Sequence, residues 1–279
     1  MNQTGVSGPI GVFDSGYGGL TILNEMRRRL PQYDYVYLGD NARAPYGSRS
    51  FDVVYKFTIE AVTALMERYS CPLVILGCNT ASAKALRSIQ QNDLPVSADP
   101  SRRVLGVIRP TVERLSQLSS TGHIGIVGTP GTIASHSYEM EIEKLFPEFT
   151  AVGQACPMWV PLVENGEADG PGADYFVERD VNRLLERDRL IDTMILGCTH
   201  YPLLYDKIRR YTPEGIRLVP QGQIVADSLA DYLNRHPEME RRIERGGGCL
   251  YLTTEAPEKF SSMASMFLGT GVKAVQITL

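Results

Sequence analysis

Short apolar runs alternate with amphipathic segments along most of the chain. The runs at 9–13, 35–38 and 72–76 are mainly apolar and have the length of buried strands. The segments 20–30 and 51–69 instead place apolar residues at helical spacing, and a proline follows the first of them. Strands that alternate with helices form parallel βαβ units, so the pattern predicts an α/β fold with a doubly wound sheet.

The last part of the chain continues this alternation. We predict, in order, a helix at 224–233, a strand at 250–253, a helix at 257–268 and a final strand at 272–278. Between the first two of these elements, the charged and Gly-rich segment 238–248 predicts a solvated turn.

The chain also repeats part of the pattern. Gly8-Pro9-Ile10-Gly11-Val12 is similar to Gly122-His123-Ile124-Gly125-Ile126, and 73–78 is similar to 193–198, where both copies end in Gly-Cys. The two separations are nearly equal, which favours two similar, pseudo-duplicated doubly wound lobes. The alternative is a chance likeness between strands that end in glycine.

Charge and composition restrict the partners. The chain has 28 Lys and Arg residues against 32 Asp and Glu residues, a net charge of −4. Nucleic acids and anionic membranes need clustered cations, so we expect neither as a partner. Residues 1–9 lack the basic and apolar order of a signal peptide, and no apolar run is long enough to span a bilayer. We therefore expect a soluble, cytoplasmic protein whose five cysteines stay reduced.

Two of these cysteines occupy equivalent places in the repeat. Cys78 and Cys198 each follow an apolar strand, and ligands of open α/β sheets bind outside the carboxyl ends of the strands. Thr80 and Thr199 are candidate N-caps of the helices that follow. A helix N-terminus stabilises a thiolate, and its N–H groups can also bind a carboxylate.

A thiol on each side of a cleft suits one class of reaction. In this class of reaction, a base removes a proton from one face of a carbon and an acid delivers a proton to the other face, as in racemisation or epimerisation. The alternative is that each thiol is a small buried apolar group, and the repeat favours the catalytic interpretation. Cys71, Cys156 and Cys249 lack this context, and we predict that they are structural.

A free thiol with a pKa of about 8.5 is mostly protonated at neutral pH, so a base beside each cysteine would help to form the thiolate. Several acids and one histidine are candidates for this role. His200 lies two residues after Cys198, Asp14 ends the first strand, and Asp40 ends the second. Glu164 lies in the second half of the chain. The alternative roles are a helix cap for Asp14, a loop contact for Asp40 and a solvated surface position for Glu164.

Other kinds of site fit less well. The Gly-rich segment 16–21 follows a strand but has threonine at the third glycine position of a dinucleotide fingerprint, and Asp14 would repel a pyrophosphate. No Gly-Lys-Ser or Gly-Lys-Thr sequence is present, which excludes a P-loop. Cys78, Cys198 and His200 offer three zinc ligands without the usual two-residue cysteine spacing. A hydrolase built on Cys198 and His200 is possible but leaves Cys78 unexplained. The signal for zinc is weak, and we expect no metal site.

Six segments of the chain carry a resemblance to one family. They are, in chain order, Phe13-Asp14-Ser15-Gly16 with Gly18-Gly19-Leu20-Thr21, Leu38-Gly39-Asp40 to Pro45-Tyr46-Gly47, Gly77-Cys78-Asn79-Thr80-Ala81-Ser82, Gly128-Thr129-Pro130-Gly131-Thr132, Val160-Pro161-Leu162-Val163-Glu164, and Gly197-Cys198-Thr199-His200-Tyr201-Pro202. Together they resemble the glutamate racemase family, and the similarity covers nearly the whole chain in order.

The resemblance implies cofactor-independent interconversion of L- and D-glutamate by an isomerase, which supplies D-glutamate for bacterial peptidoglycan and so for cell wall and cell shape. It implies that Cys78 and Cys198 are opposed acid/base residues, assisted by Asp14 and His200, respectively. Asp40 and Glu164 are further catalytic candidates. The positions that match the family's substrate-binding residues are Asp14, Ser15, Tyr46, Gly47, Asn79, Thr80, Thr199 and His200. We also expect a homodimer.

The family fold has two similar α/β lobes with the active site in the cleft between them, and one lobe is built from both chain ends. The segments 92–103 and 211–223, rich in Pro, Gly and polar residues, fit the connections. We therefore expect a first lobe of 1–103 plus 220–279 and a second lobe of 104–219. The first connection is longer than is usual in the family.

Three alternatives stay open at this point. The chain could be another two-cysteine racemase of the superfamily, acting on aspartate or hydantoins, although 45–47 and 199–202 favour glutamate. It could instead be a non-catalytic, two-lobed amino-acid-binding protein. The third alternative is a zinc or nicotinamide enzyme.

Overall fold

The computed structural model describes residues 6–279, so the prediction about a signal peptide at 1–9 falls partly outside the described residues. The strands are β1 (Ile10–Asp14), β2 (Tyr35–Gly39), β3 (Leu73–Leu76), β4 (Arg103–Gly106), β5 (His123–Gly128), β6 (Thr150–Ala155), β7 (Thr193–Gly197), β8 (Arg217–Val219), β9 (Cys249–Thr253) and β10 (Ala274–Gln276).

The helices cover both faces of the sheets. They are α1 (Leu20–Arg29), α2 (Phe51–Arg68), α3 (Asn79–Lys84), α4 (Leu86–Ser88), α5 (Ile108–Glu113), α6 (Leu115–Leu118), α7 (Pro130–Ala134), α8 (Ser137–Leu145), α9 (Trp159–Glu164), α10 (Pro171–Arg187), α11 (Tyr205–Tyr211), α12 (Gly222–Arg235), α13 (Pro237–Glu240) and α14 (Pro257–Leu268). Short 3₁₀ turns lie at Asn41–Arg43, Leu94–Val96 and Tyr201–Leu204, and a π-helical turn at Ile89–Asp93.

The strands form two parallel sheets. The first has the order β10-β9-β2-β1-β3-β4, and the second has the order β6-β5-β7-β8. Every residue of β1, β2, β3 and β7 is buried, because helices lie on both faces of these strands. The predicted class, an α/β fold with doubly wound parallel sheets, is confirmed.

The repeat in the sequence is a repeat of topology. The order β2-β1-β3-β4 in the first sheet corresponds to β6-β5-β7-β8 in the second. Ile10 of β1 pairs with Leu73 of β3, and Ile124 of β5 pairs with Thr193 of β7. These are the correspondences that the sequence comparison predicts, so the two halves share strand order and register.

The first sheet combines both ends of the described chain, because β9 and β10 extend it beside β2. Helix α12 packs on α1 and so also belongs with this sheet. Strand β4 lies across the expected boundary between residues 103 and 104 and pairs with β3. Sheet membership therefore favours a boundary after Gly106, and the division into lobes stays a prediction.

Most element boundaries agree with the sequence pattern to within one or two residues. The final strand is shorter than predicted, at Ala274–Gln276, and its residues are largely exposed at the sheet edge. The short helix α13 extends into the segment 238–248 that we predicted as a solvated turn. It begins at Pro237, a residue that is favoured in the first turn of a helix.

No helix within residues 6–279 combines the length and the apolar character needed to cross a membrane.

Candidate active site

A cavity of about 380 Å³ lies where the carboxyl ends of the two sheets meet. Both predicted catalytic thiols, Cys78 after β3 and Cys198 after β7, border it. The other predicted site residues that border the cavity are Ser15, Tyr46, Gly47, Asn79, Thr80, Glu164, Thr199 and His200. Asp14 and Asp40 are buried behind its wall.

Cys78 is itself the N-cap of α3. Its Sγ accepts a hydrogen bond from the backbone N–H of Ala81 at 3.4 Å and donates one to Oγ of Ser15 at 3.4 Å. The prediction that Thr80 caps this helix is wrong, because the Thr80 hydroxyl instead lies 2.9 Å from Oγ1 of Thr129.

The Cys78 thiol is held in its protonated form. Burial raises its pKa to about 12, and the negative charge of Asp14 acts in the same direction. The hydrogen bonds with Ser15 and Ala81 oppose this rise without cancelling it. Cys78 is therefore suited to act as an acid.

Cys198 has a different neighbour. Its Sγ lies 3.8 Å from Nδ1 of His200, and Nε2 of the same ring lies 2.9 Å from Oε1 of Glu164. Burial lowers the His200 pKa, but the contacts with Cys198 and Glu164 outweigh burial and raise it to about 10. The two thiols therefore face the cavity in unlike surroundings, Cys78 near the negative charge of Asp14 and Cys198 near the positive charge of the His200 ring.

The prediction that Thr199 caps a helix is also wrong. The chain enters a 3₁₀ turn at Tyr201 with His200 at the cap position. The Thr199 hydroxyl donates instead to Oδ2 of Asp14 at 3.4 Å. This contact joins the strand end of β7 to that of β1.

Asp14 is almost fully buried, and its Oδ1 also accepts the backbone N–H of Gly16 at 2.9 Å. Burial raises its pKa, against the opposing charge of His200. The carboxylate contacts the Thr199 side of the site, and its charge disfavours a second anion at Cys78.

Asp40 holds the loop that carries Tyr46. Its Oδ2 accepts hydrogen bonds from the Tyr46 hydroxyl and from Nε of Arg43, the latter at 2.6 Å, and its Oδ1 accepts one from Thr254 at 2.8 Å. All of these contacts lie behind the cavity wall. The buried Tyr46 in turn borders the cavity.

The glycines after β1 are required by packing. A Cβ at Gly18 would lie 2.2 Å from Oγ1 of Thr199 and 2.5 Å from Nδ1 of His200. A Cβ at Gly19 would lie 2.4 Å from Cβ of Asp14. The turn that is reminiscent of a dinucleotide fingerprint therefore brings β1 against the Thr199-His200 segment.

Part of the cavity wall consists of residues to which the sequence assigned no site role, although Thr129 and Pro130 lie in one of the segments that resemble the family. Thr129 and Pro130 follow β5, and Cys156 and Pro157 follow β6, and all four border the cavity. Applying the rule for strand ends to every strand of the second half would have found them. Cys156, which we predicted to be structural, is buried and has a raised pKa because of that burial.

Within residues 6–279, no cluster of three or more His, Cys, Asp and Glu side chains has the arrangement of a metal site.

Comparison with known proteins gives consistent matches. The profile described as Asp/Glu/Hydantoin racemase matches residues 19–229. A glutamate racemase from Roseobacter denitrificans is 40% identical over 275 residues, covering 93% of this chain and 96% of that protein. The crystal structure of a glutamate racemase isoform from Bacillus anthracis has a TM-score of 0.87 and 32% identity, with 98% of each chain covered. A glutamate racemase from Francisella tularensis, solved in complex with D-glutamate, has a TM-score of 0.83 and 29% identity, covering 98% of this chain and 97% of that one.

Proposed function

The chain belongs to the Asp/Glu/hydantoin racemase family, and we propose that it interconverts L-glutamate and D-glutamate with Cys78 and Cys198 as the two acid/base residues. The protein is an isomerase of the amino-acid racemase type. The observation that carries the two-thiol assignment is that both cysteines follow equivalent strands of the repeated sheets and border one cavity.

The reaction balances without a co-reactant. One thiolate removes the α-proton, so the C–H bond breaks and an S–H bond forms. The opposite thiol then protonates the other face of the carbon and becomes a thiolate. The product is the other enantiomer, and the two sulfurs have exchanged protonation states.

The unlike surroundings of the thiols define the starting state. Burial and the charge of Asp14 keep Cys78 protonated, whereas Cys198 Sγ lies 3.8 Å from the charged His200 ring. This state is prepared for the enantiomer whose α-hydrogen faces Cys198. Glu164 serves the reaction by keeping His200 protonated.

Substrate carboxylates are held mainly by neutral donors, and the His200 imidazolium is a cationic group at the cavity wall. Among the described residues that border the cavity, none is Lys or Arg. Ser15, Tyr46, Gly47, Asn79, Thr80 and Thr199 instead surround the space with hydroxyl, amide and backbone N–H groups. Such preorganised dipoles stabilise the charge that builds on the α-carboxylate as the proton leaves.

The two buried aspartates serve as positioning residues. Asp14 orients Thr199, and Asp40 orients Tyr46. Neither carboxylate borders the cavity, so we assign neither of them direct contact with the α-proton.

The D-glutamate formed would serve peptidoglycan precursor synthesis, as the family implies. We propose a cytoplasmic location, because free thiols at both catalytic positions need a reducing compartment.

A homodimer is also proposed. What supports it is that Leu250 of β9 and Val275 of β10 expose apolar side chains on one face of the sheet edge. Sedimentation of wild type and Val275→Asp tests it, since a dimer through this face would dissociate in the variant.

The test of function is solvent-deuterium incorporation into L- and D-glutamate without added cofactor. We expect wild type to convert both, with equal kcat/KM in the two directions because the enantiomers have equal free energy. A panel with aspartate and a hydantoin, followed by circular dichroism, separates the alternative substrates. Preference for either over glutamate would overturn the assignment.

The test of the two thiols uses Cys78→Ala and Cys198→Ala, with Cys249→Ala as the matched control outside the cavity. Each catalytic variant should lose racemisation by about 10³-fold or more. Each should still exchange the α-proton of one enantiomer, and the two variants should exchange opposite enantiomers. Full racemisation by either single variant would contradict the mechanism.

A further inference from the structure

Asn79, the residue after Cys78, takes part in a closed ring of buried hydrogen bonds. Its Nδ2 donates to Oε1 of Gln221 at 2.7 Å, and its Oδ1 accepts from the Tyr138 hydroxyl at 2.6 Å. Nε2 of Gln221 completes the ring by donating to the Tyr138 hydroxyl at 2.7 Å. All three side chains are at least nine-tenths buried.

The ring joins parts of the chain that are far apart in sequence. Asn79 follows β3 of the six-stranded sheet, and Tyr138 lies on α8, which packs on the four-stranded sheet. Gln221 lies at the start of α12, on the connection that returns the chain to the first sheet. The three partners therefore hold the two halves together directly beside Cys78.

The ring also fixes which way the Asn79 carboxamide points. Tyr138 has one hydroxyl proton, which goes to Oδ1 of Asn79, so its oxygen is free to accept from Gln221. The second amide hydrogen of Gln221 goes to Oγ1 of Thr111, 2.8 Å away. A flipped carboxamide would place two donors or two acceptors together, so only one orientation satisfies every group.

One N–H group of the ring donates no hydrogen bond within it. Asn79 has two Nδ2 hydrogens, and Gln221 takes one of them. Within the described residues the other has no partner, and Asn79 borders the cavity. We infer that Gln221 and Tyr138 are positioning residues, which aim this remaining N–H of Asn79 at a carboxylate of the bound substrate. The inference rests on the proposed function, since it concerns how the racemase holds its substrate.

We expect substitutions in the ring to lower kcat/KM through their effect on the orientation of Asn79. Tyr138→Phe and Gln221→Leu each break the ring while keeping most of the side-chain volume. Each should lower kcat/KM for glutamate about 10-fold to 100-fold, equally in both directions. In an Asn79→Ala background, the same substitutions should cause little further loss, because the group that they orient is absent.

The matched control is Tyr35→Phe. The buried Tyr35 hydroxyl also donates to backbone carbonyls, with Leu30 O at 3.0 Å, but lies in the core of the first sheet. This variant should lose comparable unfolding free energy and keep wild-type kcat/KM.

The experiment measures kcat/KM and glutamate affinity by calorimetry for wild type, the single variants, and each ring variant combined with Asn79→Ala. The inference is overturned if Tyr138→Phe and Gln221→Leu keep wild-type values. It is also overturned if their losses are the same with and without Asn79, which is what general destabilisation would give. A wild type that neither racemises nor binds glutamate would overturn the proposed function and this inference together, whereas an active wild type with unaffected variants would overturn the inference alone.

Discussion

Nε2 of His200 lies 2.9 Å from Oε1 of Glu164, a residue 36 positions earlier in the chain. The His200 ring is nearly buried, whereas the Glu164 side chain is about a quarter exposed. The carboxylate thus reaches a ring whose opposite nitrogen faces Cys198. This line of three groups couples the protonation of the imidazole to the thiol.

Glu164→Gln should move the alkaline limit of activity to lower pH. In wild type the His200 pKa is raised to about 10, so the imidazolium persists through neutral pH. Without the Glu164 charge the ring loses its proton at lower pH, and kcat/KM at pH 8 should fall about tenfold, with a smaller loss at pH 6. The exposed Glu167→Gln is the control. Superimposable pH profiles of kcat/KM for wild type and Glu164→Gln would contradict this role.

Asp14→Asn should make Cys78 more reactive and the enzyme slower. Removing the carboxylate charge lowers the Cys78 pKa, so alkylation by iodoacetamide at pH 8 should be about tenfold faster. Racemisation should fall about tenfold, because Thr199 loses its charged acceptor. Mass spectrometry of the same digest provides an internal control in Cys71, whose pKa of about 12 comes mainly from burial. An unchanged ratio of Cys78 to Cys71 labelling would refute the electrostatic effect.

Asp40→Ala should mainly lower the stability of the fold. The change removes a buried carboxylate that accepts from Tyr46, Arg43 and Thr254, so the free energy of unfolding should fall by about 3 kcal/mol. KM for glutamate should rise as well, because Tyr46 loses its anchor at the cavity wall. Asp227→Ala, which removes an exposed ion pair with Arg29, should cost less than about 1 kcal/mol in the same urea titration. Equal costs for the two variants would argue against the buried role.

Gly18→Ala should impair the site through packing alone. The added methyl group would overlap Thr199 and His200, and we expect kcat to fall about 100-fold as these groups shift. Gly172→Ala near the start of α10 is the matched control, because its Cβ would meet only Leu162 at 4.0 Å. That variant should keep full activity and gain up to about 1 kcal/mol of stability. Wild-type kcat in Gly18→Ala would show that the turn can move without consequence.

The sequence alone determined the class of fold and the place of the thiols. Buried parallel strands read as continuous apolar runs, and this local property located β1, β2, β3 and β7 to within about a residue. Parallel sheets bind ligands at the carboxyl ends of their strands, so the repeated Gly-Cys strand ends placed Cys78 and Cys198 at the expected ligand site.

Only the tertiary structure decided which partner each polar group of the site contacts. His200 meets Glu164, Asp14 meets Thr199, and Asn79 meets Gln221 and Tyr138 because separate helices and loops pack together around the cleft. These contacts have no periodicity in the sequence. A hydrogen bond depends on the positions of two groups to within a few tenths of an ångström, and that precision arises only once both sheets and their helices are packed.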